Sequence, residues 1–380
     1  MDSLRFMFFV AGMPFQGDSH GKKALGGSET AGLYMARGLA ARGHQVEMFC
    51  QCEQPGIYEG VEYRRIDDFP RYAMDTNDPH DVTVIQRVPN PLMVTLASHV
   101  QWWWMHDLAL RRYVEMVRGV SWNVNAILTV SEWHRQQMLE VYGLEKDLVV
   151  ATRNGIDLGL IQSVEGPPER DLNSLVYTAR PERGMDILLE SIFPRLLQAR
   201  PTLTLTLAGY ENYVQELQPL YQKIQMLVAR FGGRVRHVGA LTKPDLYRLY
   251  KSSALYLYPS DFEEVSCITA MEVAACGLPF VASDRAALPE TCLPEASLLI
   301  PLDEVHQGAR NVEYQNRFVT ATLDLLNDPA RMQAMSAAGI AGAVKYDWAG
   351  VAAEWEALAL PQVFESRKAL GWTDPVPVGG

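Results

Sequence analysis

Long apolar runs are missing from this sequence. No stretch reaches the roughly 18 residues that cross a bilayer. The opening segment, Met1 to Val10, carries Asp2 and no small-residue cleavage site, so it reads as a first strand and not as a signal peptide. Cysteine is scarce: Cys50, Cys52, Cys267, Cys276 and Cys292 are odd in number and lack zinc-like spacing. No Asn-x-Ser/Thr glycosylation acceptor occurs. These features point to a reducing cytoplasm and away from a disulfide scaffold. Basic residues are in deficit, with 34 Lys plus Arg against 45 Asp plus Glu and a net charge of −11. That excludes a general nucleic-acid binder and leaves room only for a local basic pocket.

Several catalytic signatures are also absent. No Gly-x-Gly-x-x-Gly follows the first strand, which removes the main evidence for a nicotinamide dehydrogenase. Gly17-Asp18-Ser19-His20-Gly21-Lys22-Lys23 misses a P-loop by one residue and by its final Lys, where Ser or Thr must reach magnesium. Gly17 to Gly21 matches the Gly-x-Ser-x-Gly elbow, but no strand ends directly before it and no helix starts directly after. His-Glu-x-x-His and Cys-x-x-Cys are absent, and no metal site is expected.

What remains is an ordinary globular composition, 48% hydrophobic and 21% charged, over a length that suits two domains of roughly 150–200 residues. Apolar runs alternate with helical patterns, the mark of parallel α/β sheets. Strands are expected at 5–11, 45–50, 82–86, 100–105, 126–130 and 148–151, with helices at 28–42, 108–117 and 132–141, the first capped by Ser28. Ser163–Asn173, with Gly, two Pro and five charged or amide residues, reads as a linker. The rhythm restarts with strands at 175–179, 203–208, 235–238, 254–258 and 280–283. Helices are expected at 185–199, 213–231, 244–252, 267–276, 311–326, 329–345 and 348–358, ahead of an irregular last twenty residues. The expected division is 1–163, 164–345 and a terminal 346–380: two Rossmann-like, doubly wound parallel-sheet domains with a ligand cleft between them.

The most informative stretch runs from Tyr258 to Pro279. A strand ends at Tyr258, an acidic loop carries Glu264, and a helix runs from near Cys267 to a Gly277 stop. In a parallel sheet this loop lies at the carboxyl edge, where ligands bind. The first free amides of the helix suit a phosphate. Glu272 lies about five residues into the helix, roughly 8 Å along its axis, with its side chain leaning back toward the start. Two carboxylates so placed can hold hydroxyls on either side of a bound diphosphate; an acidic loop followed by a solvent-facing Glu is the plain alternative.

Pro259-Ser260, Glu264-x7-Glu272, Ala275-Cys276-Gly277-Leu278-Pro279 and Ala282-Ser283 together resemble the retaining glycosyltransferases of family four, which have the GT-B fold. Gly26-Gly27-Ser28-Glu29 resembles that family's first Gly-rich loop. Val130-Ser131-Glu132-Trp133 and Arg153-Asn154-Gly155-Ile156-Asp157 resemble its Ser-Glu and Asn-Gly-Ile-Asp signatures. Thr178-Ala179-Arg180-Pro181-Glu182-Arg183-Gly184 resembles its basic phosphate motif. Leu207-Ala208-Gly209, Val238-Gly239, Leu288-Pro289-Glu290 and Tyr346-Asp347-Trp348 follow in order, the last resembling a terminal helix that crosses back to the first domain. The resemblance spans roughly residues 1–360.

It implies a transferase that moves a sugar from a nucleoside-diphosphate sugar to an acceptor with retained configuration. Glu272 inherits binding of the donor ribose and Glu264 contact with the transferred sugar. Spacing selects Glu264 over Glu263. The amides of Ser266, Cys267 and Ile268 face the diphosphate or the sugar, and Gly26 and Gly27 allow close backbone approach. Arg180 and Arg183 suit the diphosphate as fixed forks of donors. His106, at the end of a strand, points toward the transferred sugar. The donor's own phosphate is the suggested base, so no protein base is assigned, and the nucleotide sugar is the only small molecule required.

Two departures stand out. Val265-Ser266-Cys267 replaces the usual Gly-Phe-Gly, and Arg180 and Arg183 are three apart where the family has Arg and a more distant Lys. Rivals on the same fold are a sugar-nucleotide epimerase and a phosphorylase, the latter needing a pyridoxal-phosphate lysine in a domain with few lysines beyond Lys223, Lys243 and Lys251. A non-catalytic nucleotide-binding scaffold is the third. Asn154-Gly155 reads as the turn between domains. Leu108–Trp122, with Arg111, Arg112 and Arg118, reads as a buried amphipathic helix, with peripheral contact to a membrane-bound acceptor as the alternative.

Overall fold

The computed structural model describes residues 3–22, 24–209, 215–302 and 308–371. Two compact units result. The first gathers the chain up to Ser19, Leu25–Gly155 and the chain from Trp348 onward; the second is Ile156–Asp347 with the short segment His20–Ala24. The division therefore falls at the Asn154-Gly155 turn, eight residues before the expected 163/164 boundary. The Leu158–Ser163 helix accounts for the shift: Ile161 is buried in the second core, and Lys251 Nζ donates to the carbonyls of Ile161 (2.7 Å) and Val164 (2.6 Å).

The first unit holds eight strands: β1 (Arg5–Val10), β2 (Gln45–Cys50), β3 (Gly56–Tyr58), β4 (Val61–Arg65), β5 (His80–Gln86), β6 (Ser98–Trp104), β7 (Ala126–Thr129) and β8 (Val149–Ala151). Their order is β3-β4-β2-β1-β5-β6-β7-β8, parallel except for β3. Both faces are covered, which is why β5 and β6 are almost wholly buried and read as unbroken runs. The strand period of two sends Trp102 and Trp104 to one face and Trp103 to the other. Trp102 and Trp104 meet Trp355 of the Trp348–Ala369 helix, with ring centroids 5.5 and 4.7 Å apart. Trp103 joins Met7, Ile85 and Leu92 in a separate core. The terminal helix crosses the Gly27–Ala41 helix at Gly38, where a Cβ would lie 2.8 Å from that of Ala352.

Three sequence expectations change here. The terminal helix does not stop at 358. It continues through Pro361 to Ala369, because Gln362 accepts from Trp102 Nε1 (3.1 Å) and Arg367 pairs with Asp81 (2.6 Å), anchoring the far side of the proline; the expected tail beyond Gly371 lies outside the described residues. Ser28 is not the cap: Gly26 holds that position and the helix starts at Gly27. The 108–117 helix begins later, at Val114, and ends at Ser121. The β3–β4 hairpin was not anticipated; its Glu59-Gly60 turn uses positive φ at both residues (49° and 80°), the type I′ geometry. Ser19 sits in a 3₁₀ turn nine residues past the end of β1, accepting from the Gln16 amide, so the Gly17–Gly21 match is a loop and not a nucleophile elbow.

The second unit carries β9 (Asp171–Tyr177), β10 (Thr204–Leu207), β11 (Val235–His237), β12 (Ser253–Tyr258), β13 (Phe280–Asp284) and β14 (Ser297–Pro301), all parallel. Their order, β11-β10-β9-β12-β13-β14, is 3-2-1-4-5-6 within the unit, the doubly wound order whose switch point falls between β9 and β12. β14 was not expected. The Met185–Ala199 helix contains a five-residue π segment, Leu188–Ile192, just ahead of Pro194, which has no amide to donate. The expected 213–231 helix is described from a 3₁₀ turn at 215 and as Gln218–Arg230; residues 213 and 214 lie outside the described residues.

Candidate active site

The switch point of the second unit gathers the sequence motifs. The chain leaves β9 at Tyr177, whose hydroxyl donates to the carbonyl of Arg180 (3.0 Å), and turns through Pro181–Arg183. Gly184 follows at φ 99°, backbone that side chains rarely adopt. A Cβ there would collide with the Pro259 carbonyl oxygen and approach Ser260 Cα to 3.1 Å. Only glycine lets the arginine loop lean on the loop that leaves β12.

That second loop carries Glu264, which is buried. One carboxylate oxygen accepts from Arg183 Nη1 (2.6 Å) and from Tyr258 Oη (2.5 Å). The Arg183 guanidinium lies 4.2 Å from the Phe262 ring centroid, a cation–π contact. Burial alone would lower the Arg183 pKa; the adjacent Glu264 charge, with other acidic groups, raises it instead. The Glu264 backbone is also held, its carbonyl accepting from the Ala287 amide (3.0 Å). Glu263, one residue earlier, turns to Arg285 (3.0 Å).

Next comes the helix Ile268–Ala275, one residue later at its start than expected. Cys267 is the N-cap, and no side chain caps the helix. Its first amides therefore keep free donors, as helix geometry requires. Ser266 Oγ is buried with no partner among the described residues. Burial pushes the Cys267 thiol well up, which leaves it protonated and unsuited as a nucleophile. Inside the helix, Glu272 is buried and accepts from Tyr247 Oη (2.8 Å) and from Lys243 Nζ. Lys243 opens the Lys243–Ser252 helix, whose cap is Thr242. Its place beside Glu272 was not legible in the sequence, since the two are 29 positions apart and no motif joins them.

The two carboxylates are thus built alike: each is buried, and each is held by one cation and one tyrosine. Arg180 stands apart from both clamps, its Nε 3.2 Å from Glu182. Lys223 pairs with Asp186 and Glu190, and Lys251 is spent on two carbonyls, so neither lysine stands ready for a Schiff base. Among the described residues no three His, Cys, Asp or Glu side chains gather as a metal-ligand set.

Gly26, Gly27 and His106 belong to the first unit, at the carboxyl ends of β1 and β6 beside that sheet's own switch point between β1 and β5. Gln86, the last residue of β5, joins them. Its amide nitrogen donates to the Ser28 carbonyl (2.9 Å) and meets His106 Nε2 at 2.8 Å. Nε2 is therefore the acceptor and the proton sits on Nδ1. Burial, with smaller contributions from His134 and Arg87, pushes the His106 pKa well down, so the ring is neutral. A Cβ on Gly26 would strike the buried Glu29 carboxylate, which accepts from the Met13 amide (3.2 Å) and Ser28 Oγ (3.1 Å).

Two largely parallel, doubly wound sheet units in one chain are the architecture of the GT-B fold. The structure superposes on sucrose-phosphate synthase from Thermosynechococcus elongatus with a TM-score of 0.74 over 96% of this chain and 100% of that one, at 18% identity. It matches Anabaena HepE in complex with UDP and glucose with a TM-score of 0.69 over 94% and 100%, at 14% identity. Residues 173–315, within the second unit, match the family described as glycosyl transferases group 1. Among curated relatives, O-antigen chain mannosyltransferase B of Escherichia coli is 24% identical over 232 residues, 58% of this chain and 57% of that protein. The chain spans about half the length of the curated relatives it matches. No helix among the described residues is long and apolar enough to cross a membrane.

Proposed function

We propose that the protein is a retaining glycosyltransferase that moves a sugar from a nucleoside-diphosphate sugar to an acceptor hydroxyl. The observation that carries this reading is the pair of clamped carboxylates, Glu264 and Glu272, on either side of an uncapped helix start at the switch point. Glu272 lies deep enough to take the ribose hydroxyls, and Glu264 faces the transferred sugar. The helix amides of Ser266, Cys267 and Ile268, with Arg180, stabilise the charge that grows on the diphosphate as the C1–O bond breaks. The acceptor oxygen forms the new bond to C1 on the same face and passes its proton to the departing phosphate. His106, neutral with Nδ1–H as donor, suits a sugar hydroxyl, and Gly26 and Gly27 suit close backbone approach. No step requires a metal ion, since arginine and amides supply the positive charge. The five free cysteines favour a cytoplasmic setting. The name of the Escherichia coli relative makes mannose an early sugar to test.

Release of nucleoside diphosphate from UDP-, GDP-, ADP- and TDP-sugars tests the reading. Glu272→Ala should raise KM for the donor, and Glu264→Ala should lower kcat more than it alters KM. Two variants that both turn over as the native protein does would remove the site.

A further inference from the structure

We infer that Arg183 serves the reaction through Glu264 and not through the diphosphate: it is a positioning residue. The inference rests on the donor-site reading above and departs from the basic-motif resemblance, which pairs Arg180 with Arg183 on the phosphates. Arg183 Nη1 is committed to Glu264 at 2.6 Å. Its guanidinium plane lies against the Phe262 ring, and its Nε is enclosed with no acceptor among the described residues. Gly184, fixed against Pro259 and Ser260, ties the arginine loop to the loop that carries Glu264, so the pair moves as one piece. Tyr258 completes the clamp from below on the same carboxylate oxygen. The second carboxylate is held in the same manner, by Lys243 and Tyr247. With a cation assigned to each carboxylate, Arg180 is the arginine left for the leaving diphosphate.

Removing Arg183 should therefore leave Glu264 poorly held while the nucleotide site stays intact. Arg183→Met keeps the stem over Phe262 and removes the charge; Arg183→Lys restores a charge beside Glu264. Affinity for UDP, GDP, ADP and TDP is measured by calorimetry, and donor hydrolysis is followed for kcat and donor KM.

The expected result is a nucleoside-diphosphate Kd within about twofold of native in Arg183→Met, against a weakening of tenfold or more in Arg180→Ala. The kcat of hydrolysis by Arg183→Met should fall at least about tenfold with donor KM little changed, and Arg183→Lys should recover much of it. If Arg183→Met fails to fold because the Glu264 charge is left alone, the double variant Arg183→Met/Glu264→Gln removes both charges and still reports the Kd. Loss of nucleotide affinity in either Arg183 variant to the level of Arg180→Ala overturns the inference alone. A native kcat in Arg183→Met does the same. Failure of the native protein to bind any of the four diphosphates overturns the donor-site reading, and this inference with it.

Discussion

Acidification should unfold the first unit, and His134 sets much of the slope. Its ring is fully buried below the Ser131 cap, with Nε2 on the Asp107 carbonyl (2.9 Å) and no partner for Nδ1 among the described residues. Burial pushes its pKa down to about 4, against about 6.5 in the unfolded chain. The folded state thus binds the proton more weakly than the unfolded state. The contribution is fully present above about pH 6.5 and is lost as pH falls toward 4. At pH 5 the loss from this one group is about 2 kcal/mol. His44, His99 and His106 are also lowered, chiefly by burial, and add in the same direction. The assay is built into the sequence: no tryptophan lies in Ile156–Asp347, and the seven described ones all belong to the first unit, so tryptophan fluorescence in urea reports that unit. With a urea slope of about 3 kcal/mol/M, His134 accounts for a midpoint drop of roughly 0.7 M between pH 8 and pH 5. His134→Gln should flatten the pH dependence by that amount, whatever it costs at pH 8. An equal slope in native and variant proteins, or a midpoint that rises in acid, would refute the reasoning.

Gly184→Ala should destabilise the second unit by about 2–4 kcal/mol, from a positive φ and a collision with the Pro259 carbonyl together. Calorimetric melting checks it, and an unchanged melting temperature would mean that the two loops are not locked. Chelation with EDTA should leave sugar transfer unaffected, because Arg180 and the helix amides carry the charge; loss restored by manganese or magnesium would contradict that account.

The α/β rhythm was legible because buried parallel strands are nearly continuous apolar runs and their helices are not; β1, β2, β5, β6 and the Glu132–Tyr142 helix were read to within two residues. Short edge strands were not. β3 and β14 have three and five residues and lean on neighbours for definition, so their local signal is weak. Pro361 misled because proline removes one hydrogen bond, while Gln362 and Arg367 supply tertiary anchors that no local rule contains. In the site, Glu264 and Glu272 could be found by spacing along one loop and one helix. Their partners could not: Lys243 and Tyr247 reach Glu272, and Tyr258 reaches Glu264, from other elements, just as Gln86 reaches His106, and only folding places those contacts. Arg183 shows the limit most clearly, since its motif names a charge and not the group that the charge meets.

The central claim is that the second unit binds a nucleoside diphosphate through Arg180 and the start of the Ile268–Ala275 helix. Thermal unfolding with UDP, GDP, ADP or TDP, each beside its monophosphate, tests it without knowledge of sugar or acceptor. Ligand at 100 times its Kd adds about 2.7 kcal/mol to the folded state, a visible rise in melting temperature. The account predicts that one base raises the melting, that the diphosphate outdoes the monophosphate, and that the rise shrinks in Arg180→Ala. No shift with any diphosphate, or an equal shift with the monophosphate, would contradict it.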